Sequence, residues 1–327
     1  NATSRIGFRG VEDLGGGLRG GFWLEADVFP DTGLNASTAQ SNVVAGGSTT
    51  TEVSQFFNRR ATVSLMGGFG EIRLGRDYTS SFWNYTIFDP FGFIGVGANS
   101  PMLSTLGSGA QTQVRANNMI AYFLPAIGGL YGQAQVAAGE GVTGNKYVGG
   151  RLGYAAGPVN IAGAFGKTYK TGTMIDDFTD ANVGASFNMG FMTLMALASK
   201  RDYANRDQKT YQIGATVPVG AGSFKASFIK SSGTFEAPLV NSLDATKVSV
   251  GYVYDLSKRT ALYTHASRLN NDGPATSSAS ATRSDPGIAC RLGRQDQKTA
   301  FGRSFFASLA RHALAGLPVC AWRAAYA

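Results

Sequence analysis

Lys247-Val248-Ser249-Val250-Gly251-Tyr252-Val253-Tyr254 puts an apolar residue at every even position and a polar or small one at most odd positions. Tyr211-Gln212-Ile213-Gly214-Ala215-Thr216-Val217 does the same with the parity reversed. A period of two sends alternate side chains to opposite faces of a strand. Such segments recur along the chain in pairs, each pair joined by a tight turn and separated from the next by a longer polar stretch. Repeated in this way, the pattern describes a closed antiparallel barrel, apolar outside and polar inside, as found in a bacterial outer membrane.

Seven hairpins can be read. Their turns are Leu14-Gly15-Gly16-Gly17, Gly67-Gly68-Phe69-Gly70, residues 125–129, Ala155-Ala156-Gly157-Pro158, Asn188-Met189-Gly190, Val219-Gly220-Ala221-Gly222 and Asp255-Leu256-Ser257-Lys258. Glycine, proline and asparagine supply the backbone angles that such turns need. The longer connections fall at about 30–55, 78–113, 140–145, 169–179, 201–208 and 232–245. Seven hairpins give about fourteen strands, and short turns at one end with long loops at the other place the turns at the periplasmic rim.

Parity separates two faces. One collects Ile6, Phe8, Phe22, Leu24, Ala26, Val63, Leu65, Ile72, Leu74, Leu152, Ile161, Phe165, Ile213, Phe228 and Val250. The other collects Arg5, Arg9, Arg19, Glu25, Asp27, Arg60, Arg73, Arg115, Gln133, Gln135, Arg151 and Lys225. Charge confined to one face implies a wet lumen, whereas a soluble barrel fills its interior with apolar side chains. Trp23, Phe29, Tyr154, Tyr169 and Tyr254, near strand ends, suit interfacial aromatic girdles.

Composition narrows the remaining classes. Of 327 residues, 44 are glycine and only 15% are charged, and no apolar run reaches the roughly 18 residues of a membrane-crossing helix. The net charge of +8 is uneven: from Arg283 onward seven Lys/Arg face two Asp, so the rest of the chain is nearly balanced. Its bases and acids are interspersed, not clustered with aromatic platforms, which argues against nucleic acid. Cys290, Cys320, His265 and His312 match no zinc spacing, and no cofactor is implied. Gly15-Gly16-Gly17-Leu18-Arg19-Gly20 formally fits G-x-G-x-x-G, but the alternating Phe22-Trp23-Leu24-Glu25-Ala26 follows where a dinucleotide site needs a helix. No G-x-S-x-G is present, and catalysis has no triad to point at. The chain reads as no enzyme.

The run Ser4-Arg5-Ile6-Gly7-Phe8-Arg9-Gly10-Val11-Glu12-Asp13-Leu14-Gly15-Gly16-Gly17-Leu18 resembles the second strand and turn of general porins of the beta-proteobacterial Neisseria/Bordetella/Comamonas type. The resemblance continues at Asn58-Arg59-Arg60-Ala61, Leu74-Gly75-Arg76-Asp77-Tyr78-Thr79, Asp89-Pro90-Phe91-Gly92, Arg115-Ala116-Asn117-Asn118-Met119-Ile120-Ala121-Tyr122 and Leu256-Ser257-Lys258-Arg259-Thr260, covering roughly residues 1–272. It implies an all-β transmembrane barrel of sixteen strands in the outer membrane of a Gram-negative bacterium, a homotrimer, and a third extracellular loop folded into the channel. Residues 78–113 stand in that loop's place. Relative to the family, the first and last strands of the barrel are expected to be missing from residues 1–283. Residues 284–327 are Arg/Ala-rich without alternation, more helix-like than strand-like, and read as an out-of-frame or chimeric end, or as a helical extension.

Candidate functional residues are Arg5, Arg9, Arg60, Arg76, Arg115 and Arg151, with a break of parity at Gly75-Arg76 that turns Arg76 inward. Arginine keeps its charge near neutral pH, and rings of Arg or Lys favour anions. Asp77 and Asp89 on the third loop are the expected counter-wall, creating a transverse field. The plainer alternative is that these arginines only solvate the lumen or pair with Glu12, Glu25, Asp27 and Glu71. The function expected is a passive channel for ions and small hydrophilic solutes with anion preference, in contact with outer-membrane lipid. The competing class is a surface barrel serving adhesion or structure.

Overall fold

The computed structural model describes residues 4–30, 32–35, 55–110, 112–139, 146–170, 175–237, 240–242, 244–258, 260–271 and 281–290. The first strands are β1 (Ser4–Gly15), β2 (Leu18–Val28), β3 (Arg60–Gly67), β4 (Gly70–Tyr78), β5 (Arg115–Phe123) and β6 (Leu130–Ala137). They are followed by β7 (Tyr147–Ala156), β8 (Val159–Thr168), β9 (Phe178–Asn188), β10 (Thr193–Tyr203) and β11 (Arg206–Val219). The last are β12 (Gly222–Ala237), β13 (Val240–Ser242), β14 (Ala245–Asp255), β15 (Thr260–Asn271) and β16 (Ala281–Cys290). Together they make one sixteen-stranded antiparallel sheet in which each strand pairs with the next, except that the short β13 pairs only with β12. Among the described residues no pairing joins β1 to β16, so the sheet is not closed.

Apart from the short β13, one strand more appears than the fourteen counted from the sequence. β16 pairs with β15 from Thr260↔Cys290 to Leu269↔Ala281, crossing the boundary placed at 283. Its Pro286 removes a ladder donor, which an edge strand tolerates. Residues 291–327 lie outside the described residues. Two expected loops are partly strand. Within 201–208, β10 runs through Tyr203 and β11 starts at Arg206, leaving a two-residue turn. Within 232–245, β12 continues to Ala237 and β13 follows. In the first case the strand is hidden because Lys200-Arg201-Asp202 carries charge on both faces and no apolar alternation survives.

The faces separate as parity requires. Ile213 and Val250 are 62% and 56% exposed, whereas their neighbours Gln212 and Ser249 are 2% and 1% exposed. The outer face is thus apolar and the inner face polar, the arrangement of a barrel with lipid outside and water inside. Ala26 departs from the pattern and is buried. Trp23 does not join a girdle: it points to the lumen, where the Arg60 guanidinium stacks 4.1 Å from its ring.

The lumen is crossed by residues 79–110, which carry the helix α1 (Ser80–Ile87) and a single 3₁₀ turn at Ser100–Met102. α1 packs on the inner face of β6 to β9. Phe82, Tyr85 and Phe88 form a buried cluster with Ala162 and Leu197 there. The barrel makes room by presenting glycine inward. A Cβ at Gly184 would lie 2.0 Å from the Phe88 ring, and one at Gly214 would lie 2.4 Å from Pro90.

Candidate functional site: the lumen constriction

The loop begins at a defect in β4. Gly75 has φ 117°, and a Cβ there would sit 2.1 Å from the Ala61 carbonyl oxygen, so only glycine fits. The β4–β5 register slips between Gly75 and Asp77, a bulge that turns the strand. In consequence Arg73, Arg76 and Asp77 all point inward, which strict alternation forbids. The parity break read at Gly75-Arg76 is this bulge.

Arginines gather on β1 to β5 around it. Arg5 lies 3.4 Å from Glu25, and Arg59 bonds Glu25 at 2.6 Å and Asp27 at 2.9 Å. Arg60 pairs with Asp77 at 3.3 Å, and Arg73 with Asp77 at 2.6 Å and Glu71 at 2.8 Å. Arg76 donates to the Asn58 carbonyl and to Asn117 Oδ1, both at 2.7 Å. Arg115 donates to the Tyr78 hydroxyl at 3.0 Å, and Arg9 stands 5.5 Å from the Trp23 ring on the side chain that Arg60 also stacks against. Seven arginines share this side with four carboxylates, a surplus of three positive charges. Asp13 and Arg19, opposite each other nearer the turn, cancel.

The other side of the lumen also carries cations, used differently. Arg201 is 1% exposed, ion-paired to Asp180 at 3.0 Å and donating to the Ser104 carbonyl at 3.1 Å. Arg206 donates to the Leu106 carbonyl at 2.8 Å, and the Lys247 ammonium donates to the Ala98 carbonyl. Tyr85 bonds Asp180, Asn99 bonds Gln212, and Gln208 bridges the Ser104 amide and the Met102 carbonyl. These contacts fix the loop against the barrel, so it narrows the lumen as a rigid shelf. Arg151 joins this group: its Nε donates to Asn84 Oδ1 at 2.7 Å and its Nη2 to the Tyr131 hydroxyl at 3.2 Å.

Of the residues singled out from the sequence, Arg5, Arg9, Arg60, Arg76 and Arg115 come together, while Arg151 stands against α1 on the shelf side. The expected acidic counter-wall does not form. Asp77 belongs to β4 and is neutralised among the arginines themselves. Asp89 is buried, accepting from the amides of Phe91, Phe93 and Asn99 and from Gln212 Nε2. It staples a turn of the loop, and burial pushes its carboxyl up from the ordinary carboxylate range. Arg59 was not singled out, because it precedes β3 and alternation says nothing of its direction. Arg73 was assigned to the lumen by parity but not to the cluster. Arg201, Arg206 and Lys247 carry no local signal, since the loop carbonyls they bind lie about a hundred residues or more away in sequence.

An antiparallel meander with an apolar outside, a charged inside and an internal shelf defines an outer-membrane β-barrel channel. The chain belongs to the Gram-negative porin family, whose model matches residues 1–274. It is 36% identical over 291 residues to outer membrane porin protein 32 of Delftia acidovorans, covering 84% of this chain and 76% of that protein. It is 26% identical to an outer membrane porin protein of Bordetella pertussis, covering 82% of this chain and 77% of that protein. Among solved structures it is similar to an anion-selective porin from Comamonas acidovorans, with a TM-score of 0.72, 32% identity, and coverage of 88% of this chain and 89% of that one. The protein is therefore an outer-membrane porin of a Gram-negative bacterium and not an enzyme.

Proposed function

We propose that this porin is a passive diffusion channel for ions and small hydrophilic solutes, with a preference for anions, and that it works as a homotrimer. The observation that carries the preference is the surplus of three arginine charges on one side of the constriction, facing a shelf whose own carboxylates are bonded within the fold. A fixed positive potential over a narrow aqueous passage concentrates anions there and repels cations. The constriction set proposed is Arg5, Arg9, Arg59, Arg60, Arg73, Arg76 and Arg115, with Arg151 on the opposing side. Relative to the sequence-based set, Asp77 counts as a partner that lowers the surplus and Asp89 as part of the shelf. The solved relative from Comamonas acidovorans, described as anion-selective, points the same way. Trimerisation rests on the family resemblance.

Conduction needs no bound energy source in this reading. Planar-bilayer recording of the refolded full-length chain tests it, with expected ohmic openings and a reversal potential on the chloride side in a potassium chloride gradient. Folded protein that inserts without conducting would leave the adhesive or structural reading, and a potassium-side reversal would refute the anion preference.

A further inference from the structure

A water-filled lumen gains nothing from exposed apolar side chains, yet its wall carries an apolar strip that neither the arginine pairing nor the shelf uses. Val11 on β1 shares the inward parity of Arg5 and Arg9 and is 64% exposed. It stands opposite Gly21 on β2, and a Cβ on Gly21 would lie 2.9 Å from Met66 Cε and 3.7 Å from Val11 Cγ2. Val11 and Met66 thus meet over a glycine floor. Trp23, two residues along β2 and opposite Arg9, borders this floor with its side chain half-buried. The β1–β2 turn lies at the periplasmic rim, so a solute moving inward reaches the strip just after the level of Arg5 and Glu25.

The cations beside the strip are not equivalent. Arg60, over the Trp23 ring at 4.1 Å, is held by Asp77. Arg73, over the Phe123 ring at 4.1 Å, is held by Asp77 and Glu71. Arg9, 5.5 Å from the Trp23 ring, is exposed and in no ion pair among the described residues. One open guanidinium takes one carboxylate as a bidentate pair. Residue 11 follows residue 9 on the same face about 7 Å further along the strand. An anion held at Arg9 therefore lays its body on Val11, Gly21 and Met66, with the Trp23 indole alongside. A flat ring suits that place better than an alkyl body, because ring against indole adds a stacked or edge contact beyond the area buried.

We propose that Arg9, Val11, Trp23 and Met66 form a lumen subsite for aromatic monocarboxylates of the benzoate type, which are held there briefly on their way inward. The inference deepens the diffusion-channel reading and rests on it, since the subsite serves only a conducting lumen. Carboxylate and ring are recognised by separate groups, so neither a small anion nor a neutral aromatic satisfies both. Binding has to stay weak, because a solute that cannot leave stops conduction.

The test is planar-bilayer recording of the refolded full-length porin in potassium chloride with added benzoate, cyclohexanecarboxylate, benzamide or acetate. Benzoate is expected to interrupt the current saturably, at a concentration about tenfold below that of acetate. Cyclohexanecarboxylate should fall between them, and benzamide should have no effect. W23L is expected to raise the half-blocking benzoate concentration about tenfold and to abolish the preference over cyclohexanecarboxylate. R9Q should raise it about tenfold or more, whereas F123L, beside an arginine already paired, should leave it unchanged. Equal block of the wild type by benzoate and cyclohexanecarboxylate overturns the proposal without any variant, as does undiminished benzoate block in a W23L channel that conducts. The reversal potential in potassium chloride alone, read on the same channels, tests the anion preference separately. A chloride-side reversal with benzoate no stronger than acetate overturns the subsite alone, and a potassium-side reversal with ring-selective block supports the subsite while refuting the preference.

Discussion

The two sides of the lumen use the same residue type for opposite ends. On β1 to β5, arginines outnumber the acids they touch, and Arg9 and Arg60 stack on Trp23 beside open water. On β6 to β14, Arg201, Arg206 and Lys247 are spent on carbonyls of the loop, with Asp180 neutralising Arg201. A cation matched by a carboxylate, as Arg201 is by Asp180, does little for the potential in the passage. A cation left over after pairing sets it. The lesson is that counting lumen arginines overstates selectivity, and the surplus after pairing is the relevant quantity.

That contrast can be broken first on the shelf side. Asp180→Ala leaves the buried Arg201 guanidinium without its counter-charge and Tyr85 without its acceptor, and losing one partner of a buried pair costs about 3–5 kcal/mol. The expected outcome is a lower denaturant midpoint and noisy, larger conductance as the shelf loosens, with the ion preference weakened only secondarily. Gly184→Val comes next. Its side chain overlaps the Phe88 ring, and overpacking of this kind costs about 1–3 kcal/mol. Single-channel recording should show a displaced shelf as a raised conductance, whereas Gly163→Ala, where a Cβ has open space outward, should conduct as wild type.

On the arginine side the effect falls on selectivity, with little change in stability. Asp77→Asn frees Arg60 and Arg73 from their shared carboxylate and increases the positive surplus. Reversal potentials should move further to the chloride side, while Asp89→Asn, inside the loop, should not move them. The smallest effect is that of salt. The screening length shrinks from about 10 Å at 0.1 M to about 3 Å at 1 M, so the preference should decline as mean ionic strength rises at a fixed gradient. A preference insensitive to salt would indicate selection by size and not by field.

Much of this was legible in the chain. Strand alternation at residues 211–217 and 247–254 fixed which residues meet lipid, because one face of each strand has a single kind of solvent. The inward turn at Gly75-Arg76 was visible as two residues out of step. Three kinds of feature were not legible. Lys200-Arg201-Asp202 hid a strand, because there both faces are polar, one lining the shelf anchor and one the membrane surface. The roles of Gly184 and Gly214 depend on Phe88 and Pro90, which only the folded loop brings near. The fates of Asp77 and Asp89 were misassigned because loop membership was read as lumen exposure. Asp77 is the end of a strand, and Asp89 is turned into the loop's own backbone.

The most direct measurement is the reversal potential of wild type and of R9Q/R76Q/R115Q in one potassium chloride gradient. These three arginines sit against neutral groups, the Trp23 ring, the Asn58 carbonyl with Asn117, and the Tyr78 hydroxyl, and their number equals the surplus. The wild type is expected on the chloride side, within the ceiling of about 59 mV for perfect selectivity in a tenfold gradient, and the variant near zero with its conductance retained. A variant that stays as chloride-selective as the wild type would contradict the account.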